Sequence, residues 1–250
     1  MIDRDKCIGE MLDFLDKLGI ADNTFVQHST DNGPHMNTWP DAGTTPFRCE
    51  KNTSWEGAYR VPCMVRFPGK IAAGSISNEI ISHQDWFPTI QAIAGETDIA
   101  AKLKKGHKIG KKTFKVHLDG YNLVPHLTGK DAKSPRKGFI YFTDEGTLKI
   151  WQEPFVRLRT PYIFKLRMDP CERAQQTSNT YYDWMFRHIF LLVPAQAFVG
   201  EFLATFKQFP PRQKSASFSL DQVVEQMLHA SSGGAACTPR TRTGIGVPYG

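Results

Sequence analysis

The spacing of apolar and polar residues predicts a helix and then a strand near the start of the chain. From residue 4 to residue 18, apolar side chains recur every three or four positions among charged ones, as on one face of an amphipathic helix. Gly19 is suited to end that helix. Residues 24–29 are rich in β-branched and aromatic types and favour a strand. Helix, short loop and strand form half of a βαβ unit, so we expect an α/β fold that opens without its first strand.

Further along, the pattern predicts a buried strand at 61–70 that closes in a Pro-Gly turn, a short strand at 74–82, and a helix from Asp85 to its stop at Gly95. Asp85 is expected to cap this helix, where a carboxylate satisfies free backbone N–H groups. A helical tract with a break near Pro194 follows from about residue 181.

The longest apolar run, residues 189–206, contains Pro194, Gln196 and Glu201 and is flanked by basic residues. A membrane span needs about 20 predominantly apolar residues. We therefore expect a buried core helix and no membrane span.

The predicted strand at 24–29 leads into Thr30-Asp31-Asn32-Gly33. In open α/β sheets, ligands bind at the carboxyl ends of strands. The carboxylate of Asp31 beside the amide of Asn32 offers two hard oxygens, the donor type that Ca²⁺ or Mg²⁺ prefers. The same residues are also typical of a simple turn. From these residues alone, both interpretations stay open.

Longer motifs add to this turn: T-D-N-G at 30–33, P-F-R-x-x-K at 46–51, W-E-G-x-x-R-V-P at 55–62 and D-x-x-P-T-x-x-x-x-A-G at 85–95. In this order they resemble the C-terminal part of the sulfatase (arylsulfatase) family, in the alkaline-phosphatase superfamily, and the resemblance runs from about residue 5 to residue 230. It implies an α/β, sulfatase-like fold. This would comprise a partial main sheet flanked by helices, then a small C-terminal antiparallel sheet and helices, with a strand and turn at 161–173.

The resemblance also implies roles for single residues. Asp31 and Asn32 correspond to two ligands of a Ca²⁺-type ion, and Lys51 to the lysine that contacts a sulfate oxygen. Behind them, the motif positions that support the site or its backbone are Arg48, Glu56 and Arg60. Two weaker candidates for the substrate cleft, in a run similar to one in arylsulfatases, are Trp39 and Asp41.

Other parts of a sulfatase site are not found. The family's nucleophile is a formylglycine made from the Cys of C-x-P-x-R; the only similar run begins at Cys237, where Thr241 stands in place of the Arg. Ca²⁺ takes 6–8 oxygen ligands, and the motif supplies two. We therefore expect a truncated sulfuric ester hydrolase of arylsulfatase type, inactive alone. The alternatives are a non-catalytic fragment or pseudoenzyme that acts by binding, for example by pairing with a sulfatase N-terminal half, and a phosphoesterase of the same superfamily.

For the organisation of the chain, we expect part of the catalytic α/β domain at 1–130, a smaller subdomain at 131–230 and a disordered tail at 231–250. The subdomain has an apparent internal deletion near 146–150, because similar sulfatases carry additional paired strands there. A short closing helix is expected from Ser219.

Composition adds little. The net charge is +6, but the positive residues are dispersed except in a cluster at 102–115. That cluster lacks interleaved aromatics, so it predicts a solvated basic loop and no nucleic-acid partner. The five cysteines show no disulfide or metal spacing. No signal peptide is visible, although similar sulfatases are often exported or periplasmic, so the compartment stays open.

Overall fold

The computed structural model of the protein describes residues 2–35, 43–141 and 160–210. Within these ranges the chain is mostly helical, with two small sheets of two strands each. The helices are α1 (Ile2–Lys17), α2 (Glu56–Tyr59), α3 (Trp86–Ile93), α4 (Ile99–Lys105), α5 (Val124–Leu127), α6 (Ala174–Thr177), α7 (Tyr181–Arg187) and α8 (Leu192–Gln208). The strands are β1 (Val26–Ser29), β2 (Cys63–Arg66), β3 (His107–Ile109) and β4 (Lys112–Phe114), and short 3₁₀-helices occupy Ala21–Asn23, His83–Asp85 and Ile189–Leu191.

The predicted first helix is confirmed as α1, and Gly19 follows it with a φ of +67° in the left-handed region. Its apolar stripe, however, is only partly covered in the described residues. No residue of α1 is buried. Ile8, Leu12 and Leu15 are half-buried, whereas Met11 and Phe14 are 62% and 58% exposed. The helix therefore presents to solvent part of the face that its sequence pattern prepares for packing.

Strand β1 confirms the predicted strand before the T-D-N-G turn. It pairs antiparallel with β2, so that Val26 lies opposite Arg66 and Ser29 opposite Cys63. The ring of Phe25, just before β1, packs 5.9 Å from that of Phe67 and 6.1 Å from that of Trp86. The partial main sheet of the sequence prediction is thus represented, in the described residues, by one antiparallel pair, and Phe25 before β1 contacts Trp86 of α3.

Three strand predictions need correction. The predicted buried strand at 61–70 shortens to β2, whose residues Cys63 and Met64 are exposed. The segments 74–82 and 161–173 contain no strand. A strand needs a neighbour to complete its hydrogen-bond ladder, and neither segment has such a neighbour among the described residues. The expected C-terminal sheet and the apparent deletion fall mainly at 142–159, outside the described residues, as do Ser219 and the predicted tail.

The basic cluster at 102–115 is not a loop. Its first lysines belong to the last turn of α4, and the remainder forms the hairpin of β3 and β4, with Ile109 opposite Lys112. Lysines in the last turn of a helix complement its dipole. The side chains that form the cluster are mostly exposed, as predicted.

The apolar run near residue 190 also differs from the prediction. The tract breaks at His188, between α7 and a 3₁₀ turn, whereas Pro194 lies in the first turn of α8, where its missing N–H costs nothing. No residue of α8 is buried, so the predicted buried core helix is wrong. By length and composition alone, the stretch Ile189–Gln208 is apolar enough to cross a membrane, a property that core helices of soluble proteins share.

Most of the buried apolar side chains lie in two places. Trp86, Ile99, Leu103 and Leu123 belong to α3, α4 and the start of α5, where α3 contacts both other helices, and Tyr181 and Met185 belong to α7. The predicted helix at 85–95 is confirmed as α3, and Gly95 follows it with a φ of +98°.

Candidate functional site

The T-D-N-G turn follows the last residue of β1, Ser29, which pairs with Cys63 at the start of β2. Asp31 is exposed and Asn32 half-buried. The hydroxyl of Thr30 donates to the Asp31 carboxylate at 3.3 Å, while the hydroxyl of Ser29 donates to the carbonyl of Pro62 at 2.9 Å. The contact between Ser29 and Pro62 ties the end of β1, directly before the turn, to the last residue of the W-E-G-x-x-R-V-P motif.

Two glycines bring this turn, the W-E-G-x-x-R-V-P motif and the P-F-R-x-x-K motif into backbone contact. The N–H of Gly33 donates to the carbonyl of Ala58 at 2.7 Å, and the N–H of Gly57 donates to that of Arg48 at 2.8 Å. A Cβ on Gly33 would overlap the carbonyl of Gly57, and a Cβ on Gly57 would overlap that of Cys49. Only glycine permits backbones to approach so closely.

The backbone of Lys51 contacts the residue that directly follows the same turn. Its N–H donates to the carbonyl of Pro34 at 3.0 Å, and its side chain is half-buried. Asn52 has a φ of +66°. The buried Thr53 donates from its hydroxyl to the carbonyl of Glu50 at 2.7 Å. The structure therefore places the backbone of Lys51 beside the turn that carries Asp31 and Asn32.

The three supporting residues predicted from the motifs, Arg48, Glu56 and Arg60, all contact other residues of the motifs. The Arg48 guanidinium lies 3.5 Å from the centroid of the Trp55 ring and donates to the carbonyl of Glu172 at 3.0 Å. The carboxylate of Glu56, which is buried, accepts from Arg60 at 2.9 Å. These contacts join residues on either side of Lys51 to one another and to Glu172.

Glu172 was not predicted, although it belongs to the R-x-D-P-x-E run at 167–172. Its carboxylate accepts from the N–H of Glu56 at 2.9 Å, and only 5% of the residue is exposed. Burial raises the pKa of this carboxyl above its ordinary value, while the hydrogen bond from Glu56 opposes that effect. Burial likewise raises the pKa of the Tyr59 hydroxyl, two residues after Gly57.

Asp85 serves a different purpose from the predicted cap. It makes no side-chain cap to α3. Its carboxylate accepts from the N–H groups of Ser82 and Tyr121, both at 2.8 Å, and from the guanidinium of Arg136. Asp85 therefore joins three chain segments under α3. His83, in the same short helix, has its ring Nε2 2.9 Å from the carbonyl oxygen of Thr30. No local sequence pattern predicts this contact.

The oxygens of Asp31 and Asn32 suit a hard divalent cation in kind but not in number, because Ca²⁺ takes 6–8 ligands. In the described ranges, no group of three or more His, Cys, Asp or Glu residues is arranged to hold a metal ion. These residues alone do not make a complete calcium site. Trp39, Asp41 and Cys237 lie outside the described residues.

Comparison with known proteins agrees with the motifs. The profile of the family described as Sulfatase matches residues 3–96. N-acetylgalactosamine-6-sulfatase of Rattus norvegicus is 32% identical over 226 residues, and the match covers 77% of this chain and 42% of that protein. The same enzyme of Mus musculus is 41% identical over 226 residues, covering 77% and 43%. The crystal structure of the PsFucS1 sulfatase from Pseudoalteromonas sp. superposes with a TM-score of 0.65 at 25% identity, covering 85% of this chain and 43% of that chain.

These matches define a sulfatase-like fold. The chain belongs to the sulfatase family, within the alkaline-phosphatase superfamily, and it spans less than half the length of the relatives described above.

Proposed function

We propose that this chain supplies part of the site of a sulfuric ester hydrolase. In this proposal, Asp31 and Asn32 are two ligands of a Ca²⁺-type ion, and Lys51 contacts a sulfate oxygen of the substrate. The observation that carries the proposal is the pair of backbone hydrogen bonds from Gly33 to Ala58 and from Lys51 to Pro34. They bring three motifs of the sulfatase resemblance into one place: T-D-N-G, P-F-R-x-x-K and W-E-G-x-x-R-V-P.

The chemistry assigned to Lys51 follows from its charge. Cleavage of a sulfate ester moves negative charge onto the leaving oxygen and needs positive groups that hold the sulfuryl oxygens. The backbone of Lys51 is anchored by the hydrogen bond from its N–H to the carbonyl of Pro34, so its ammonium group extends from a fixed base. We assign no nucleophile to the described residues, because Cys237 stands in the wrong register and outside them. The 250-residue chain is therefore expected not to turn over sulfate esters by itself.

The surface of the chain supports pairing with another part of a sulfatase. Apolar side chains in α1 and directly after it are exposed, with Met11, Phe14 and Leu18 all more than half accessible. Covering such side chains stabilises a complex by about 1.5–3 kcal/mol for each one fully buried. A sulfatase segment that carries the nucleophile and the remaining metal ligands is the partner that the proposed site requires.

The test is an assay on a chromogenic aryl sulfate with added Ca²⁺. The chain alone should give no turnover above buffer. It should then be co-expressed with the portion of a sulfatase relative that it does not match. A complex that co-purifies should turn over the ester, and Lys51→Ala should abolish this activity. Lys70→Ala, an exposed lysine outside the motifs, serves as the matched control.

Two results would contradict the proposal. Turnover by the chain alone that disappears in Lys51→Ala would show that the chain needs no second segment. Full activity of the complex in Lys51→Ala would remove the role assigned to that lysine.

A further inference from the structure

We infer that His83 is a positioning residue for the T-D-N-G turn. Its imidazole holds the carbonyl of Thr30, the residue directly before the proposed ligands Asp31 and Asn32. This inference rests on the proposed function, in which Asp31 and Asn32 are metal ligands. It concerns the shape of the turn, so it can be tested without measuring hydrolysis of a sulfate ester.

The contact is specific in direction. The Nε2 atom of His83 lies 2.9 Å from the carbonyl oxygen of Thr30. A carbonyl only accepts, so the ring must carry its proton on Nε2 and donate it. The two residues are 53 positions apart in the chain. The bond therefore fixes the turn from outside its own segment, at the point where the chain leaves β1.

The base of His83 is rigid. It begins a 3₁₀-helix closed by a capping box, in which the N–H of Ser82 donates to the carboxylate of Asp85 at 2.8 Å. Asp85 is fully buried and is paired with Arg136. His83 is itself exposed, but its backbone is held at both ends of this short helix. A side chain on such a base transmits its position to whatever it contacts, whereas one on a loose loop would not.

The remaining bonds of the turn do not make this one redundant. Gly33 is held to Ala58 and Pro34 to Lys51, both after the proposed ligands. Ser29 is held to Pro62 before them. The carbonyl of Thr30 lies between these anchors, next to Asp31. It also accepts from the hydroxyl of Ser29 at 3.2 Å, but that bond joins neighbouring residues. The contact with His83 ties the same carbonyl to a different segment of the chain.

The experiment compares amide hydrogen exchange by NMR in the full 250-residue chain and in His83→Ala and His83→Gln. The Nε2 of glutamine stands in for the Nε2 of histidine as a donor. The reporters of the turn are the N–H groups of Gly33 and Lys51, both bonded across it. The reporter of the core is the N–H of Leu123, bonded to the Thr89 hydroxyl at 2.9 Å.

In His83→Ala, exchange at Gly33 should rise by roughly threefold to tenfold, the factor that one hydrogen bond is worth, and exchange at Leu123 should stay unchanged. His83→Gln should restore Gly33 to within about twofold of the parent chain. Three results would overturn the inference: unchanged exchange at Gly33 in His83→Ala, an equal rise at Leu123, which marks global loosening, or no recovery in His83→Gln. Because no readout depends on catalysis, failure here leaves the proposed function separately testable.

Discussion

Arg136 donates two hydrogen bonds to the carboxylate of Asp85, from Nε at 2.8 Å and from Nη2 at 2.6 Å. Both residues are buried. The guanidinium also donates to the carbonyls of Asp119 and Gly138. One ion pair thus joins the start of α3, the segment before α5 and the chain near residue 138. His83 stands two residues from this junction, so the pair also bears on the proposed site.

Replacing Arg136 by Met should be strongly destabilising. The substitution leaves the Asp85 carboxylate buried without its cation, and breaking a buried pair from one side costs about 3–5 kcal/mol. Urea unfolding followed by circular dichroism measures the loss, and a variant without helical signal at 25 °C counts in the same direction. Arg66→Met is the matched control, because Arg66 pairs with Asp16 on the surface and should cost at most about 1 kcal/mol. Equal, small losses in both variants would contradict the importance of the buried pair.

Adding one methyl group at Gly33 should force the two motifs apart. The new Cβ meets the carbonyl of Gly57, a backbone atom that cannot rotate away. Overpacking of this kind costs about 1–3 kcal/mol. Gly9→Ala, at an open position in α1, should instead stabilise by about 0.5–1 kcal/mol. Chemical denaturation of the two variants compares them directly, and a neutral Gly33→Ala would show that the backbones are not in contact.

The stability of the chain should carry a pH dependence from Glu172. Burial raises the pKa of its carboxyl in the folded state, so the folded chain holds this proton more tightly than the unfolded chain does. The stabilisation is complete below the unfolded pKa and is lost as pH rises through the higher folded pKa. Glu172→Gln cannot ionise, yet its amide oxygen can still accept from Glu56. Its unfolding free energy relative to the parent should therefore increase from about pH 4 to pH 7.

Urea titrations at several pH values measure this difference. Glu201→Gln removes the same charge at an exposed position of α8 and reports the effect of net charge. A difference for Glu172→Gln that runs parallel to that control at every pH would mean that burial does not shift the Glu172 equilibrium.

The exposed Phe14 of α1 should contribute little to the unfolding free energy of the isolated chain. Phe14→Gln should change the unfolding free energy by no more than about 0.5 kcal/mol. Leu103→Ala, which truncates a side chain in the core, should cost about 2–5 kcal/mol. In the complex with a second sulfatase segment, Phe14→Gln should instead weaken co-purification. A large loss of stability in the isolated Phe14→Gln chain would mean that α1 packs against this chain itself.

The sequence predicted well those features that are encoded locally. The period of apolar residues located α1 and α3, and Gly19 and Gly95 marked their ends, because left-handed φ values favour glycine. The family motifs located the turn of Asp31 and Asn32 and the segment of Lys51. The structure brings these two segments together, whereas the ligand roles remain predictions.

Features that depend on distant partners escaped prediction. The apolar pattern at 189–206 predicted burial of α8, but burial depends on what covers a helix and not on the helix itself. The pattern at 74–82 suited a strand, but no neighbouring strand is present among the described residues and the segment forms none. His83 and Glu172 act on residues 53 and 116 positions away, and a single sequence contains no periodic signal for contacts of that kind.

The hydrogen bond between Glu172 and Glu56 can form only late in the synthesis of the chain. The segment that holds Lys51 leaves the ribosome 116 residues ahead of the side chain that binds the Glu56 N–H. At about 5–20 residues per second, this is a wait on the order of ten seconds. During that time Glu56 and Arg48 lack their partner in the later chain. The W-E-G motif is therefore expected to be among the last parts of the nascent chain to settle, and a chain whose synthesis stops before Glu172 would leave it unfinished.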